Sequence, residues 1–326
     1  MRRREFVSGL GRVAATWPLA AGAMPARAQA PARVYRLGHL ANSVDTERYT
    51  RETTLPELAR LGFVEGRNLV FDAHNGASAQ LPALMGELLA AKPDAVIAVG
   101  DAAVLAAAAA TRTVPIVGFG GDMVKLGLAQ SHARPGGNVT GVSILTDKLD
   151  VKRLSILRET VPDRRRVAAL LSTTQRALIE PALRKAAPGL GVELHVFPVA
   201  EPADYRGAFA AMRTAGAEAL IIGAAPEFFR DAKQLAALAL EARLPTVCEW
   251  ADLAREGCMI GYGPSRLELS KRRAAQIAQI FRGAAPGEVA IELPTVFEFA
   301  INQKIARSLG LTIPPLVLAQ ADEVIE

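Results

Sequence analysis

The chain is poor in the residues that much enzyme chemistry needs. It has two cysteines, four histidines and 5% aromatic residues. Two cysteines cannot make the disulfide framework of a small secreted scaffold. His39, His74, His132 and His195 are scattered without metal-ligand spacing, so no metal site is expected. Gly-x-x-x-x-Gly-Lys-Ser/Thr, Gly-x-Ser-x-Gly and His-Glu-x-x-His are all missing. Nor does Leu37-Gly38-His39-Leu40, in the first predicted strand, supply the Gly-x-Gly-x-x-Gly of a dinucleotide site. These absences argue against a phosphate loop, a serine-hydrolase elbow, a zinc protease and any bound cofactor. No helix-turn-helix segment precedes the first strand, which weighs against a repressor.

Net charge is also scarce where it would matter. Residues 1–30 hold five Arg (2, 3, 4, 12 and 27) and one Glu, a net +4 of the whole chain's +5. The remainder is near neutral, at about +1, so no nucleic-acid partner is expected. Arg164-Arg165-Arg166 and Lys271-Arg272-Arg273 read as a solvated strand entry and a helix face.

That first segment has the three parts of an export signal. Arg2-Arg3-Arg4 is the basic start, Val13 to Met24 an apolar run broken by Pro18, and Ala28-Gln29-Ala30 a small-x-small cleavage site. Arg3, Arg4 and Phe6 are spaced as in a twin-arginine signal. The apolar run is shorter than the roughly 20 residues that span a bilayer. The expectation is a periplasmic protein, cleaved near Ala30, without stable membrane insertion and monomeric.

Beyond Arg33 short apolar runs alternate with helical stretches, the first of them Asp45–Leu61. Ala95–Val99 and Ala219–Ile222 are apolar throughout, the mark of strands buried on both faces of a parallel sheet. Repeated strand–helix–strand units give an α/β class, and two series of about five units predict two doubly wound, Rossmann-like lobes. The turn-rich Gly136-Gly137-Asn138 suggests the break between them. The tail after Gly283 carries one more strand, Thr295–Ile301, and a short helix, Gln303–Leu309. It is placed to cross between lobes and complete a sheet. Cys248 falls late in one predicted strand and Cys258 early in the next. Those ends lie apart in parallel neighbours, so two buried thiols are expected rather than a bridge.

In an open parallel sheet, ligands sit beyond the carboxyl ends of the strands. The residues found there are Asn42 and Ser43, Gly100 and Asp101, Gly121 and Asp122, and Thr140 and Ser143. In the second half they are Thr173 and Thr174, then Glu249, then Tyr262 and Gly263. Hydroxyls and free N–H groups at helix starts suit a carboxylate. Asp122 or Glu249 suits an ammonium, and Tyr262 or Trp250 an apolar body. Singly, each Ser, Thr or Asp is also an ordinary helix cap, and His39 an ordinary hydrogen-bonded core histidine.

Several blocks resemble one family. They are Leu61-Gly62-Phe63-Val64-Glu65-Gly66-Arg67-Asn68, Gly121-Asp122-Met123-Val124-Lys125-Leu126-Gly127-Leu128, and Arg134-Pro135-Gly136-Gly137-Asn138-Val139-Thr140-Gly141. Pro245-Thr246-Val247-Cys248-Glu249-Trp250 and Phe297-Glu298-Phe299-Ala300-Ile301-Asn302 continue the match. The chain is similar throughout to ABC-transporter substrate-binding proteins of the group with tryptophan- and tyrosine-binding members. The resemblance implies a type I periplasmic-binding fold, with two lobes joined by a hinge of three crossovers. It implies residues 31–142 plus about 264–292 in the N-terminal lobe, and 143–263 plus about 293–326 in the C-terminal lobe. It implies ligand contacts at Asp122, Glu249, Tyr262 and Gly263. Gly100-Asp101-Ala102 and Ala225-Pro226-Glu227-Phe228-Phe229 depart from the family pattern at ligand-facing loops, so an aromatic amino acid is not implied as the solute.

The resulting expectation is the solute-binding component of an ABC importer, closing on a small polar solute and partnered by an inner-membrane permease. A ligand sensor for a membrane receptor is the alternative. An enzyme using Glu249 or Asp122 as base is the third reading.

Overall fold

The apolar runs become central strands, because only the middle of a helix-covered sheet hides both faces of a strand. The computed structural model describes residues 33–326, so the export-signal reading of residues 1–30 lies outside the described residues. One sheet holds β1 (Tyr35–Ala41), β2 (Leu69–Asn75), β3 (Ala95–Val99), β4 (Ile116–Gly120) and β5 (Val139–Ser143). Its order is β2-β1-β3-β4-β5, and every pair is parallel. The other holds β6 (Arg166–Ser172), β7 (Glu193–Val199), β8 (Ala219–Ile222), β9 (Thr246–Cys248), β10 (Ile260–Pro264), β11 (Phe297–Asn302) and β12 (Glu323–Ile325). Its order is β12-β11-β10-β9-β8-β6-β7, with only β10 and β11 antiparallel. The tail thus completes the second sheet with β11. It also adds β12, a strand too short to announce itself in the sequence.

The α-helices are α1 (Val44–Tyr49), α2 (Leu55–Arg60), α3 (Leu81–Ala90), α4 (Asp101–Ala110), α5 (Thr146–Thr160), α6 (Arg176–Ala186), α7 (Tyr205–Thr214), α8 (Pro226–Arg230), α9 (Ala232–Glu241), α10 (Arg266–Phe281), α11 (Gln303–Ser308), the short tail helix expected from the sequence, and α12 (Pro315–Leu318). They cover both faces of both sheets. Leu55 and Leu58 of α2 pack with Ala274, Ile277 and Phe281 of α10 on one face of the first sheet. Leu81, Met85 and Leu88 of α3 pack with Val104 and Ala107 of α4 on the other. In the second sheet, α5 and α6 supply Leu154, Leu157, Ile179 and Leu183 to one face. Tyr205, Phe209, Met212 and Leu235 cover the other.

The chain passes between the sheets three times. The first passage follows β5 at Leu145, whose φ of 54° lies in the left-handed region. The Gly136-Gly137 turn therefore lies inside the first lobe, before its last strand. The second passage follows β10, where the Ser265 hydroxyl caps α10 by accepting from the Glu268 N–H. The third is extended: Glu292 N–H donates to Gly141 and its carbonyl accepts from Ser143 N–H before the chain enters β11.

Two sequence expectations are corrected. Cys248 and Cys258 are disulfide-bonded, with Cα atoms 6.4 Å apart. β9 is only three residues long and Cys258 lies before β10 rather than in it. The ends expected to be far apart are therefore neighbours. The single helix expected over Asp45–Leu61 contains a π-helical segment, Thr50–Thr54, between α1 and α2. Such widened turns often accompany functional sites, and this one turns Thr50 and Thr54 inward, both buried.

Candidate functional site

The carboxyl ends of β3 and β4 face those of β8 and β9 across a narrow cavity of about 70 Å³. The first lobe lines it with Thr46, Tyr49 and Thr50, with Gly100, and with Phe119 to Gly121. The second contributes Gln175, Pro226, Phe229, Glu249 and Trp250. Arg266, Ser270 and Arg273 of α10 close one side. Their spacing of four and three residues puts them on one helix face.

Aromatic rings from both lobes meet over this space. Phe119 and Trp250 stack with centroids 6.4 Å apart and planes 23° from parallel. The Arg266 guanidinium lies 3.6 Å from the Tyr49 ring centre, 4.2 Å from that of Phe229 and 5.7 Å from that of Trp250. Its Nη1 also donates to Asp252 Oδ2 at 2.7 Å. One cation thus joins rings of both lobes, an arrangement held by the negative faces of the rings.

Arg273 is different. It is 3% exposed. Nη2 donates to Thr54 Oγ1 at 2.5 Å and to Thr50 Oγ1 at 3.4 Å, while Nε has no partner. Burial, with Arg266 nearby, draws its pKa down to about 10.

Glu249 is 7% exposed at the end of β9. Burial is the main cause that pushes its carboxyl up to about 7, with Asp150 adding to the shift and Arg153 and Arg266 opposing it. Behind it lies a fully buried ion pair. Arg153 Nη1 donates to Asp150 Oδ1 at 2.6 Å, Nη2 to the Glu249 carbonyl at 2.9 Å and Nε to the Tyr262 carbonyl at 2.8 Å. One guanidinium therefore holds β9, β10 and α5 in register beneath the cavity floor.

Of the residues chosen from the sequence, Gly100, Gly121, Glu249 and Trp250 line the cavity. Several of the others frame it. Asp101 Oδ1 accepts from Gly121 N–H at 2.6 Å, tying the loops after β3 and β4 together. Burial raises its pKa. A Cβ at Gly120 would sit 2.5 Å from that carboxylate and displace it. Ser43 caps α1. Asn42 Nδ2 donates to Glu227 Oε2 at 3.3 Å, a polar link between the lobes.

Asp122 accepts from Val124 and Lys125 N–H groups and faces His132 Nε2 at 3.1 Å, in a turn outside the cavity. It is therefore not placed to act as a base there. Thr140 Oγ1 donates to the Val289 carbonyl, and Ser143 Oγ accepts from Met123 N–H. Thr173 and Thr174 are exposed. The Tyr262 ring stacks on Phe297, 6.1 Å between centroids, away from the cavity. Gly263 packs where a Cβ would be 2.1 Å from the Glu249 carbonyl. His39 is a buried core residue, its pKa drawn down to about 3 chiefly by burial, with Nε2 3.5 Å from Thr50 Oγ1.

Sequence reasoning missed Tyr49, Thr50, Arg266 and Arg273. All four lie on helix flanks, not on the loops after strands. The basic run 271–273 was divided by the helix: Lys271 pairs with Glu268 and Arg272 with Glu292, but Arg273 points inward. The available signal was the four-and-three spacing of Arg266, Ser270 and Arg273.

Among the described residues no cluster of three His, Cys, Asp or Glu side chains is placed to hold a metal, and no helix is long and apolar enough to cross a membrane. The family model for ABC transporter substrate binding protein matches residues 45–325. A conserved domain protein from Vibrio cholerae superposes with a TM-score of 0.84 at 22% identity, covering 90% of this chain and 100% of its own. An ABC domain from Streptococcus pneumonia in complex with L-Trp gives 0.82 at 21% identity, over 90% and 100%. A leucine-binding protein from Thermotoga maritima gives 0.58 at 12% identity, over 85% and 87%. At these identities the likeness establishes the fold, the two-lobed type I periplasmic-binding architecture. No curated protein sequence matches the chain.

Proposed function

We propose, from the premise that this chain belongs to the ABC transporter substrate-binding protein family, that it captures a small polar organic solute in the interlobe cavity and delivers it to an inner-membrane ABC permease. The observation that carries this reading is the shared wall. Tyr49 and Phe119 come from one lobe, Phe229 and Trp250 from the other, and a solute between them touches both. A ligand that bridges two lobes binds the closed form better than the open one and shifts the population toward it. Gly100, Gly121 and Glu249 are the contacts we retain from the sequence, joined by Arg273 and the four aromatic residues. The lobes we propose as the moving bodies are residues 31–142 plus about 264–292, and 143–263 plus about 293–326.

Export to the periplasm, with cleavage near Ala30, and a monomeric state belong to the same proposal. The mass of the protein recovered from the periplasmic fraction tests the cleavage. A thermal-shift screen of that protein against amino acids, small acids and polyols tests capture. Solute at 100 times its Kd stabilises by about 2.7 kcal/mol. A screen in which no small solute raises the melting temperature would defeat the reading.

A further inference from the structure

The cavity wall holds three charged side chains, and two of their charges are already accounted for. Arg266 is paired with Asp252 and sandwiched by rings. Glu249 is a carboxyl that burial holds largely uncharged below neutrality. Arg273 has neither an ion-pair partner among the described residues nor a full set of hydrogen bonds. It faces two threonine hydroxyls, and the Phe119 ring centre lies 5.4 Å from its guanidinium carbon. Its Nε–H is buried and unpartnered beside the cavity.

A buried cation without a counter-charge weakens a fold. The other buried arginine among the described residues avoids the situation: Arg153 has Asp150 and two carbonyls. Guanidinium donors are arranged as a planar fork that fits two oxygens of one planar anion. Thr50 and Thr54 hold one arm of the fork and fix its plane.

Resting on the solute-capture reading above, we infer that Arg273 is the anion anchor of the cleft and that the solute is a small carboxylate with an apolar body. The unpartnered, buried Nε–H fits an oxygen that arrives with the ligand. The one cation of the wall without an ion-pair partner among the described residues matches one negative charge, and Glu249 on the facing wall disfavours a doubly charged ligand. Val99, Phe119, Ile144 and Ala225 give the remainder of the solute an apolar surround. The carboxylate belongs either to a simple acid or to an α-amino acid, whose ammonium Glu249 would then meet.

The test uses matched pairs on the periplasmic protein: aliphatic and aromatic monocarboxylic acids and α-amino acids, each against its own carboxamide, with neutral polyols alongside. Titration calorimetry and melting temperature are the readouts. The expected result is that acids bind and their carboxamides bind at least 100-fold more weakly. R273Q loses the acids by a similar factor, and R273K, which keeps the charge without the fork, loses about ten-fold. R273Q without solute melts no lower than the natural protein, which a structural arginine would not allow. Binding by simple acids assigns the first source of the carboxylate, and binding by amino acids alone assigns the second.

Carboxamides or polyols that bind the natural protein as tightly as acids would overturn the Arg273 assignment and leave solute capture standing. So would an R273Q protein that holds acids unchanged. A natural protein indifferent to the whole panel overturns both. The acid-against-carboxamide comparison needs no variant, so it decides even if R273Q fails to fold.

Discussion

Gly100 and Pro226 meet across the cleft so closely that a Cβ on Gly100 would lie 2.8 Å from Pro226 Cγ. Gly100 lies between β3 and α4 as the N-cap of α4, with φ 88° and ψ 150°, a conformation that belongs almost only to glycine. Pro226 starts α8 on the other lobe. A side chain at position 100 therefore strains its own backbone and wedges the lobes apart.

Gly100→Ala is expected to lower stability by about 1–3 kcal/mol from the backbone term and to weaken solute binding roughly ten-fold, by about 1.4 kcal/mol. Combining it with Pro226→Ala removes the wedge and restores part of the affinity but none of the stability. Calorimetric affinities and urea midpoints of the three variants separate the two effects. Equal affinity of Gly100→Ala and the natural protein would contradict the close approach.

Glu249 binds a proton more tightly in the folded chain, at about 7, than its ordinary 4.5. The stability tied to its protonated form is complete below pH 4.5 and is lost as pH rises through 7. Glu249→Gln keeps a neutral group at every pH. The variant should match the natural protein near pH 4.5 and exceed it by on the order of 3 kcal/mol at pH 8. Urea unfolding at pH 4.5, 6 and 8 measures this difference, and a difference that does not grow with pH counts against the burial account.

Arg153→Met leaves the Asp150 carboxylate buried without its cation and two strand carbonyls without a donor. The expected loss is about 3–5 kcal/mol, and the double change with Asp150→Asn should recover part of it. Denaturation of the four proteins of the cycle gives the coupling. Additive losses would mean that the pair does not act as a unit.

The Cys248–Cys258 bond spans ten positions and closes the segment that carries Glu249 and Trp250. Replacing both cysteines with serine should cost about 2–3 kcal/mol by the chain-entropy relation. Alkylation of the unfolded, unreduced protein should add no mass, and after reduction it should label two thiols. Labelling before reduction would show that the bond does not form in the native protein.

The architecture was legible because its signals are local. Ala95–Val99 and Ala219–Ile222, short and apolar throughout between turn residues, read as central strands, and the helices between them follow from period. The site was less legible because it is assembled at right angles to the sequence. Reading the loops after the strands found Gly100, Gly121 and Glu249, which the chain brings to the cavity on three separate strands. The same rule also selected Ser43, Asp122 and Ser143, whose oxygens are consumed in capping and turn bonds to nearby N–H groups. It passed over Tyr49 and Arg273, whose places depend on how far a helix rotates as it packs. The disulfide escaped notice because β9 is shorter than its apolar run suggests.

Arg266 and Arg273 ride on one rigid helix packed against the first lobe, seven residues and therefore about 10 Å apart along its axis. That interval is a ruler built into the backbone, indifferent to the angle between the lobes. On the hinge-closure reading, an opened cleft would leave Arg273 and the Tyr49 ring together and separate them from Phe229, Trp250 and Glu249. On that reading the half that carries α10 meets an arriving molecule first, and the other half closes over it.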